Sequence, residues 1–428
     1  MRFSPASRRL RPPLAGGILA LFLTAPHGHA ASPEAIAEAA LRAAPVWDGH
    51  NDVPEQVRDR RKDVLAGFDF ADTRDTADPE QGLDAMQTDL ARLRKGRVGA
   101  QFWSVYVSAT LTDQQAVQAT LEQIDVMKRL IARHPEALQY CVDSACVQAA
   151  TKAGRIASLL GMEGGHSIGA SLGVLRQMHE LGARYMTLTH FKNTAWADSG
   201  TDVPAHGGLT DFGRDVVREM QRLGMLVDLS HTSARTMLDA LGVAGAPVMF
   251  SHSGALAIAG HPRNVPDAVL DRLKSNGGIV MVNFYPGYLS EALRLWNAAR
   301  AGEKARLVAL HPDSPDAAAA ALAEWQSKNS KPQATLSQIA DHIDYITRRI
   351  GVDHVGLGGD FDGGSVGVEG MPDVSAYPAL FTELARRGYS QDQLEKIASR
   401  NMMRVLKAAE TYAQAHANDP PIEAPTAF

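Results

Sequence analysis

Apolar residues in this chain follow two alternating rhythms. Short, nearly continuous apolar runs rich in Val, Ile, Leu and Met alternate with longer stretches in which apolar positions return every three or four residues. The runs predict strands near Val46–His50, Val98–Val107, Ile156–Glu163, Tyr185–His190, Leu226–His231, Val248–His252, Ile279–Phe284 and His354–Asp360. The periodic stretches predict helices. Glu80–Lys95 sets Leu83, Met86, Leu90 and Leu93 on one face, Gly213–Leu223 sets Val216, Val217, Met220 and Leu223, and Gln338–Arg349 sets Ile339, Ile343 and Ile346. Alternating units of this kind imply a parallel sheet, and eight of them imply an α/β fold of the (β/α)8 TIM-barrel type. The competing architecture is an open doubly wound sheet. It would carry a Gly-x-Gly-x-x-Gly turn after an early strand, absent here, and would gather its chemistry at one switch point.

Most of the predicted strands end in a residue able to ligate a metal. The phrases are Asp48-Gly49-His50-Asn51-Asp52, Gly161-Met162-Glu163, Val227-Asp228-Leu229-Ser230-His231 and Phe250-Ser251-His252. His50 and Asp52 stand two apart, so an extended backbone would point both into the barrel. Glu163 offers two oxygens that could bridge two ions, with His231 and His252 as neutral imidazole ligands for the second. One such residue at a strand end is ordinarily a turn or capping group. Five at the carboxyl ends of four strands predict a binuclear metal site at that face of the barrel, holding a water-derived nucleophile. Nitrogen and carboxylate donors without thiolate suit two Zn2+ per chain, and also permit Mn2+ or Co2+.

Composition narrows the picture. A formal net charge of −5 argues against a nucleic-acid partner. Residues 1–30 read as a secretory signal peptide: Arg8, Arg9 and Arg11 precede an apolar stretch from Leu14 to Ala25 and a small-residue cleavage pattern at Gly28-His29-Ala30. Ser7-Arg8-Arg9-Leu10 also fits a twin-arginine leader, though adjacent arginines occur in any basic leader. The expected location is periplasmic or secreted, with no stable membrane anchor. Residues 31–414 read as one barrel domain with a helical, alanine-rich insertion near 301–332, and 415–428 as a polar tail. Cys141 and Cys146 could form a local disulfide or remain two thiols; their spacing is not that of a zinc finger.

Further phrases carry a family resemblance. They include the run from Tyr185 to Asp198, Gly207-Gly208-Leu209-Thr210-Asp211-Phe212-Gly213, His261-Pro262-Arg263-Asn264-Val265, Gly358-Gly359-Asp360-Phe361-Asp362-Gly363 and Pro372-Asp373-Val374-Ser375. With the strand-end phrases, the chain resembles the membrane (renal) dipeptidase family of zinc metallopeptidases, within the metal-dependent amidohydrolase barrels, from about Trp47 to Leu406. The resemblance implies hydrolysis of dipeptides with a free C-terminal carboxylate, including L,D-dipeptides. His50 and Asp52 would hold one zinc, Glu163 would bridge, and His231 and His252 would hold the other. His190 would steady the oxyanion, Arg263 would bind the substrate carboxylate with help from Tyr285, and Asp360, rather than Asp362, would move protons. A homodimer is a further expectation of the resemblance alone. Alternatives from the residues themselves are a metal-dependent hydrolase of another amide or ester, such as an N-acyl amino acid, lactone or β-lactam, and a catalytically silent barrel.

Overall fold

The computed structural model describes residues 1–10, 31–363 and 367–425. Met1–Ser32 and Pro33–Phe428 are separate compact units. Most of the expected leader, residues 11–30, lies outside the described residues. Among those described, no helix is long and apolar enough to cross a membrane.

The second unit is a closed (β/α)8 barrel. Its strands are β1 (Val46–Asn51), β2 (Val98–Ser104), β3 (Leu138–Tyr140), β4 (Ile156–Glu163), β5 (Ala183–Thr187), β6 (Leu226–Asp228), β7 (Met249–Ser253), β8 (Ile279–Val282), β9 (Ala334–Thr335), β10 (Val355–Leu357) and β11 (Val368–Glu369). In the nine-stranded sheet the order is β2-β1-β10-β8-β7-β6-β5-β4-β3, and β2 also pairs with β4. Setting β3 aside, the other eight close on themselves in parallel. The short β3 pairs with the first half of β4, at Ile156 to Ser158, and β5 takes over from Leu160 onward. β9 and β11 form a separate pair.

Parallel strands covered by helices are buried on both faces, which is why they read as continuous apolar runs. β1, β2 and β4 are buried at every position. Trp47, Phe102, Leu159, Tyr185, Leu226, Met249, Ile279 and Met281 form one cluster inside the barrel. Gly49 belongs there too: a Cβ would meet Met281 Sδ at 2.5 Å and the Ser251 carbonyl at 2.5 Å.

Several strands are shorter than predicted. His190, His231 and Asp360 lie beyond the ends of β5, β6 and β10, in loops. The expected helix Glu80–Lys95 is reduced to Leu90–Lys95. Its first half is a loop closed by the Asp78–Leu83 bridge, and Gln87 donates its backbone N–H to Asp362 at 2.7 Å. Asp89 then starts the helix by accepting from Arg92 N. Met86 is buried without being helical; burial alone produced the helical spacing. The other two predicted helices occupy Asp211–Leu223 and Leu336–Ile350, begun by Thr210 and Thr335 caps.

The alanine-rich region lies in two helices, Glu291–Leu310 and Pro315–Lys328. They turn back on each other, with the Trp296 and Trp325 rings 6.0 Å apart and Trp296 Nε1 donating to the Asn329 carbonyl. Cys141 and Cys146 form a disulfide after β3. Residues of the C-terminal tail rest on the barrel: Ile422 N donates to Glu219, and Arg176 donates to the Ile422 carbonyl.

Candidate metal centre

Five side chains from four strand ends meet at the carboxyl end of the barrel. Glu163, at the end of β4, divides its two oxygens. Oε1 lies 3.0 Å from His231 Nε2 and 3.3 Å from His252 Nε2. Oε2 lies 3.3 Å from His50 Nε2, which is itself 3.3 Å from Asp52 Oδ2. The residues thus form two ligand groups, Glu163-His231-His252 and His50-Asp52-Glu163, sharing one carboxylate. Donors bound tetrahedrally at about 2.0–2.1 Å stand roughly 3.3 Å apart, so these spacings fit metal ions the size of zinc.

The pair His50 and Asp52 reaches this point by a route that strand alternation does not describe. Pairing of β1 with β2 shifts register between Asp48 and Asn51. Asp52 has left the strand and stands at the N-cap of the helix Val53–Arg61, with φ −102° and ψ 25°. Asp48, two residues before His50, is held by the Tyr377 hydroxyl at 2.6 Å and by Gly359 N at 2.8 Å.

The imidazoles are aimed by partners behind them. Ser251 Oγ donates to Asp228 at 2.6 Å and lies 2.8 Å from His252 Nδ1. Its one proton is spent on the carboxylate, so His252 Nδ1 donates and Nε2 presents a lone pair to the centre. His50 Nδ1 meets the buried Tyr185 hydroxyl at 2.8 Å. Ser104 Oγ donates to Glu163 Oε2 at 3.1 Å. Burial, then the nearby cations, push His231 and His252 well below the usual imidazole range, into the neutral form that ligates metals. Burial alone would lift Glu163, but the neighbouring histidines hold it well below the ordinary carboxylate range. His50 Nε2 and Asp52 Oδ1 are buried without hydrogen-bond partners, as expected of atoms reserved for a metal.

A cavity of about 120 Å³ opens over the two groups, with Asp360, His190, Arg263 and Tyr285 in its wall. Asp360 accepts from Asn283 Nδ2 at 3.0 Å and lies within ligand distance of His50 and His252. Burial first, and the carboxylates Asp52 and Glu163 next, raise it well above the usual range. His190 is pushed down to about 4 by burial and places Nε2 3.7 Å from Glu163. Arg263 is 1 % exposed. Its guanidinium donates to the His252 carbonyl at 3.1 Å, lies 5.3 Å from the Tyr288 ring centre and leaves Nε unpaired. Tyr285 stacks on Tyr288 at 4.5 Å. Asp362 faces away, holding the loop at Gln87. His166 and His206 bond loop carbonyls, His261 accepts from Arg263 N, and Trp196 packs in the core.

Sequence reasoning missed Ser104, Tyr185, Asn283 and Tyr288 as partners of the site. Asn283 follows β8 directly, the position at which the other strands carry their polar residues; that was the available signal. Tyr185 gave none, because it reads as one more buried aromatic.

A parallel eight-stranded barrel with imidazole and carboxylate ligands at its carboxyl end defines a barrel metallohydrolase. The chain belongs to the membrane dipeptidase family (peptidase family M19), whose model matches residues 34–420, and it is a metallo-dipeptidase of that family. It is 39 % identical over 375 residues to the dipeptidase tcpJ of Claviceps purpurea (strain 20.1), covering 86 % of this chain and 77 % of the relative. Among solved structures it resembles the probable dipeptidase PvdM of Pseudomonas aeruginosa, with a TM-score of 0.74 and 22 % identity over 89 % of this chain and 99 % of that one. A metallo peptidase of Rhodobacter sphaeroides, solved with a phosphinate mimic of L-Ala-D-Ala, matches with a TM-score of 0.68 and 23 % identity over 86 % and 99 %.

Proposed function

We propose that this metallo-dipeptidase is a binuclear zinc enzyme that cleaves dipeptides with a free C-terminal carboxylate, L,D-dipeptides included. The observation that carries the reading is the division of Glu163 between two ligand groups, beside a buried arginine with no carboxylate partner among the described residues. Metal ions bound in those groups supply a Lewis acid for the scissile carbonyl and an acidified water as nucleophile. The protein's own residues do the rest. Arg263 receives the substrate carboxylate as a planar fork, and Tyr285 borders the same position. His190, neutral, presents a ring N–H to the developing oxyanion. Asp360 takes the proton of the attacking water at a carboxylate oxygen and returns it to the leaving amine; a carboxyl lifted by burial suits that exchange. The Rhodobacter peptidase with its L-Ala-D-Ala mimic supports including L,D-dipeptides.

We further propose export to the periplasm or beyond the cell. The Cys141–Cys146 disulfide, which persists only in an oxidising compartment, and the leader-like residues 1–30 support it. The deciding experiment measures metal content of the purified protein by elemental analysis, with hydrolysis of L,L and L,D dipeptides before and after chelation. About two zinc ions per chain and chelator-sensitive cleavage of both series are expected. A metal-replete protein inert on every dipeptide would overturn the reading.

A further inference from the structure

Four carboxylates line the cavity: Asp52, Glu55, Glu163 and Asp360. Three of them belong to the groups that could hold a metal. Glu55 belongs to none. It lies in the first turn of the helix Val53–Arg61, where a carboxylate would ordinarily cap the helix, yet the side chain that meets the helix end is Asn51, whose Oδ1 accepts from Val53 N at 3.1 Å. Among the described residues its one ion-pair neighbour is Arg58, with Nη2 3.5 Å from Oε1. The same guanidinium also donates through Nη1 to the Tyr106 carbonyl at 2.6 Å and through Nε to Asp59 at 3.1 Å. Glu55 is therefore a largely buried carboxylate, its side chain 22 % exposed, that borders the substrate cavity and shares the Arg58 guanidinium with two other acceptors.

Its position is complementary to that of Arg263. Glu55 enters from the helix that follows β1 and Arg263 from the loop after β7, with β10 and β8 between them in the barrel order. One cavity thus carries a guanidinium on one side and, on the other, a carboxylate outside the ligand groups. We infer that Glu55 reads the positive charge of the substrate's N-terminal residue, so that the enzyme recognises both ends of a zwitterionic dipeptide. The inference rests on the dipeptide orientation proposed above, with the carboxylate toward Arg263.

The charge can come from the α-ammonium or from a basic side chain on the same residue, and three substrates separate them. The metal-replete protein and its E55Q variant are compared on L-Ala-L-Ala, L-Lys-L-Ala and propionyl-L-Ala, which lacks the amine. If the α-ammonium is read, the wild type prefers L-Ala-L-Ala to propionyl-L-Ala by about tenfold or more in kcat/KM. E55Q then lowers that preference roughly fivefold, mainly through KM, with metal content unchanged. If a side-chain ammonium is read, E55Q lowers only the preference for L-Lys-L-Ala over L-Ala-L-Ala. Glu55→Ala must reproduce whichever loss is found. Equal losses on all three substrates, or none, overturn the inference while leaving the dipeptidase reading intact. A wild type inert on all three overturns both.

Discussion

The two ends of the barrel are built on opposite terms. At the amino end the interior is a continuous apolar packing of Trp47, Phe102, Leu159, Leu226, Met249 and Ile279. At the carboxyl end the strands and the loops that follow them deliver His50, Glu163, His252 and Asp360 into one buried cluster, in which His50 Nε2, Asp52 Oδ1, His190 Nδ1 and Arg263 Nε lack hydrogen-bond partners. Buried polar atoms without partners cost about 1–3 kcal/mol each, so this end opposes folding on its own. The apolar end can carry that cost, because burying a large aliphatic or aromatic side chain contributes about 1.5–3 kcal/mol. Stability and chemistry are thus separated along the barrel axis, and substitutions at the two ends should fail in different assays.

The largest effect is expected at Glu163. Glu163→Gln removes the charge shared by both ligand groups, and kcat/KM should fall at least about 10³-fold with loss of bound metal. Retention of full metal and activity would erase the distinction between the ends. Asp360→Asn should keep the metal and the fold but lose about 10²–10⁴-fold in kcat, the usual range for a proton-transfer group; a pure KM effect would reassign it to binding. At the other end, Leu159→Ala should cost about 2–5 kcal/mol in denaturant unfolding. Its kcat at a temperature where the variant is folded should stay near that of the parent, and a large drop would mean the two ends are coupled.

A subtler test concerns His342, which buttresses the mouth from the helix Leu336–Ile350. It is fully buried, its Nδ1 accepting from Ala255 N at 2.9 Å and its Nε2 facing the Leu289 carbonyl at 3.1 Å. Burial pushes it down to about 4 from an ordinary 6.5. Below pH 6.5 the unfolded chain binds a proton that the folded one refuses, so stability falls with pH until about pH 4. That span corresponds to about 3 kcal/mol. His342→Gln should remove a loss of that order from the unfolding free energy measured between pH 7 and pH 4. An unchanged acid limb would show that His342 is not its source.

What was legible in the sequence follows the same division. The interior strands stood out because burial on both faces writes uninterrupted apolar runs; β4 was predicted at Ile156–Glu163 and lies there. Strand-end ligands were visible because a polar residue closing such a run is conspicuous. The route taken by Asp52 was not visible, since a register shift and a helix start depend on neighbours far away in sequence. Nor was the loss of the first half of the Glu80–Lys95 helix, where Gln87 bonds Asp362 across 275 residues. Three-residue β3 offered too short a run to separate from a loop. Glu55 was passed over because an acidic residue in a first helical turn already has an ordinary explanation.

The left-handed backbone at three mouth positions bears on how the site can change by mutation. His231, Asp360 and Asp362 have φ of 64°, 57° and 65°, a region that Gly, Asn, Asp and His enter far more readily than other residues. A saturation library at these positions would meet a conformational filter before any chemical one. Branched and bulky replacements would be depleted even in a screen for folding alone, whereas Asn would survive that screen and fail only for activity. The shape of the main chain therefore restricts which side chains natural variation can offer to the candidate metal centre.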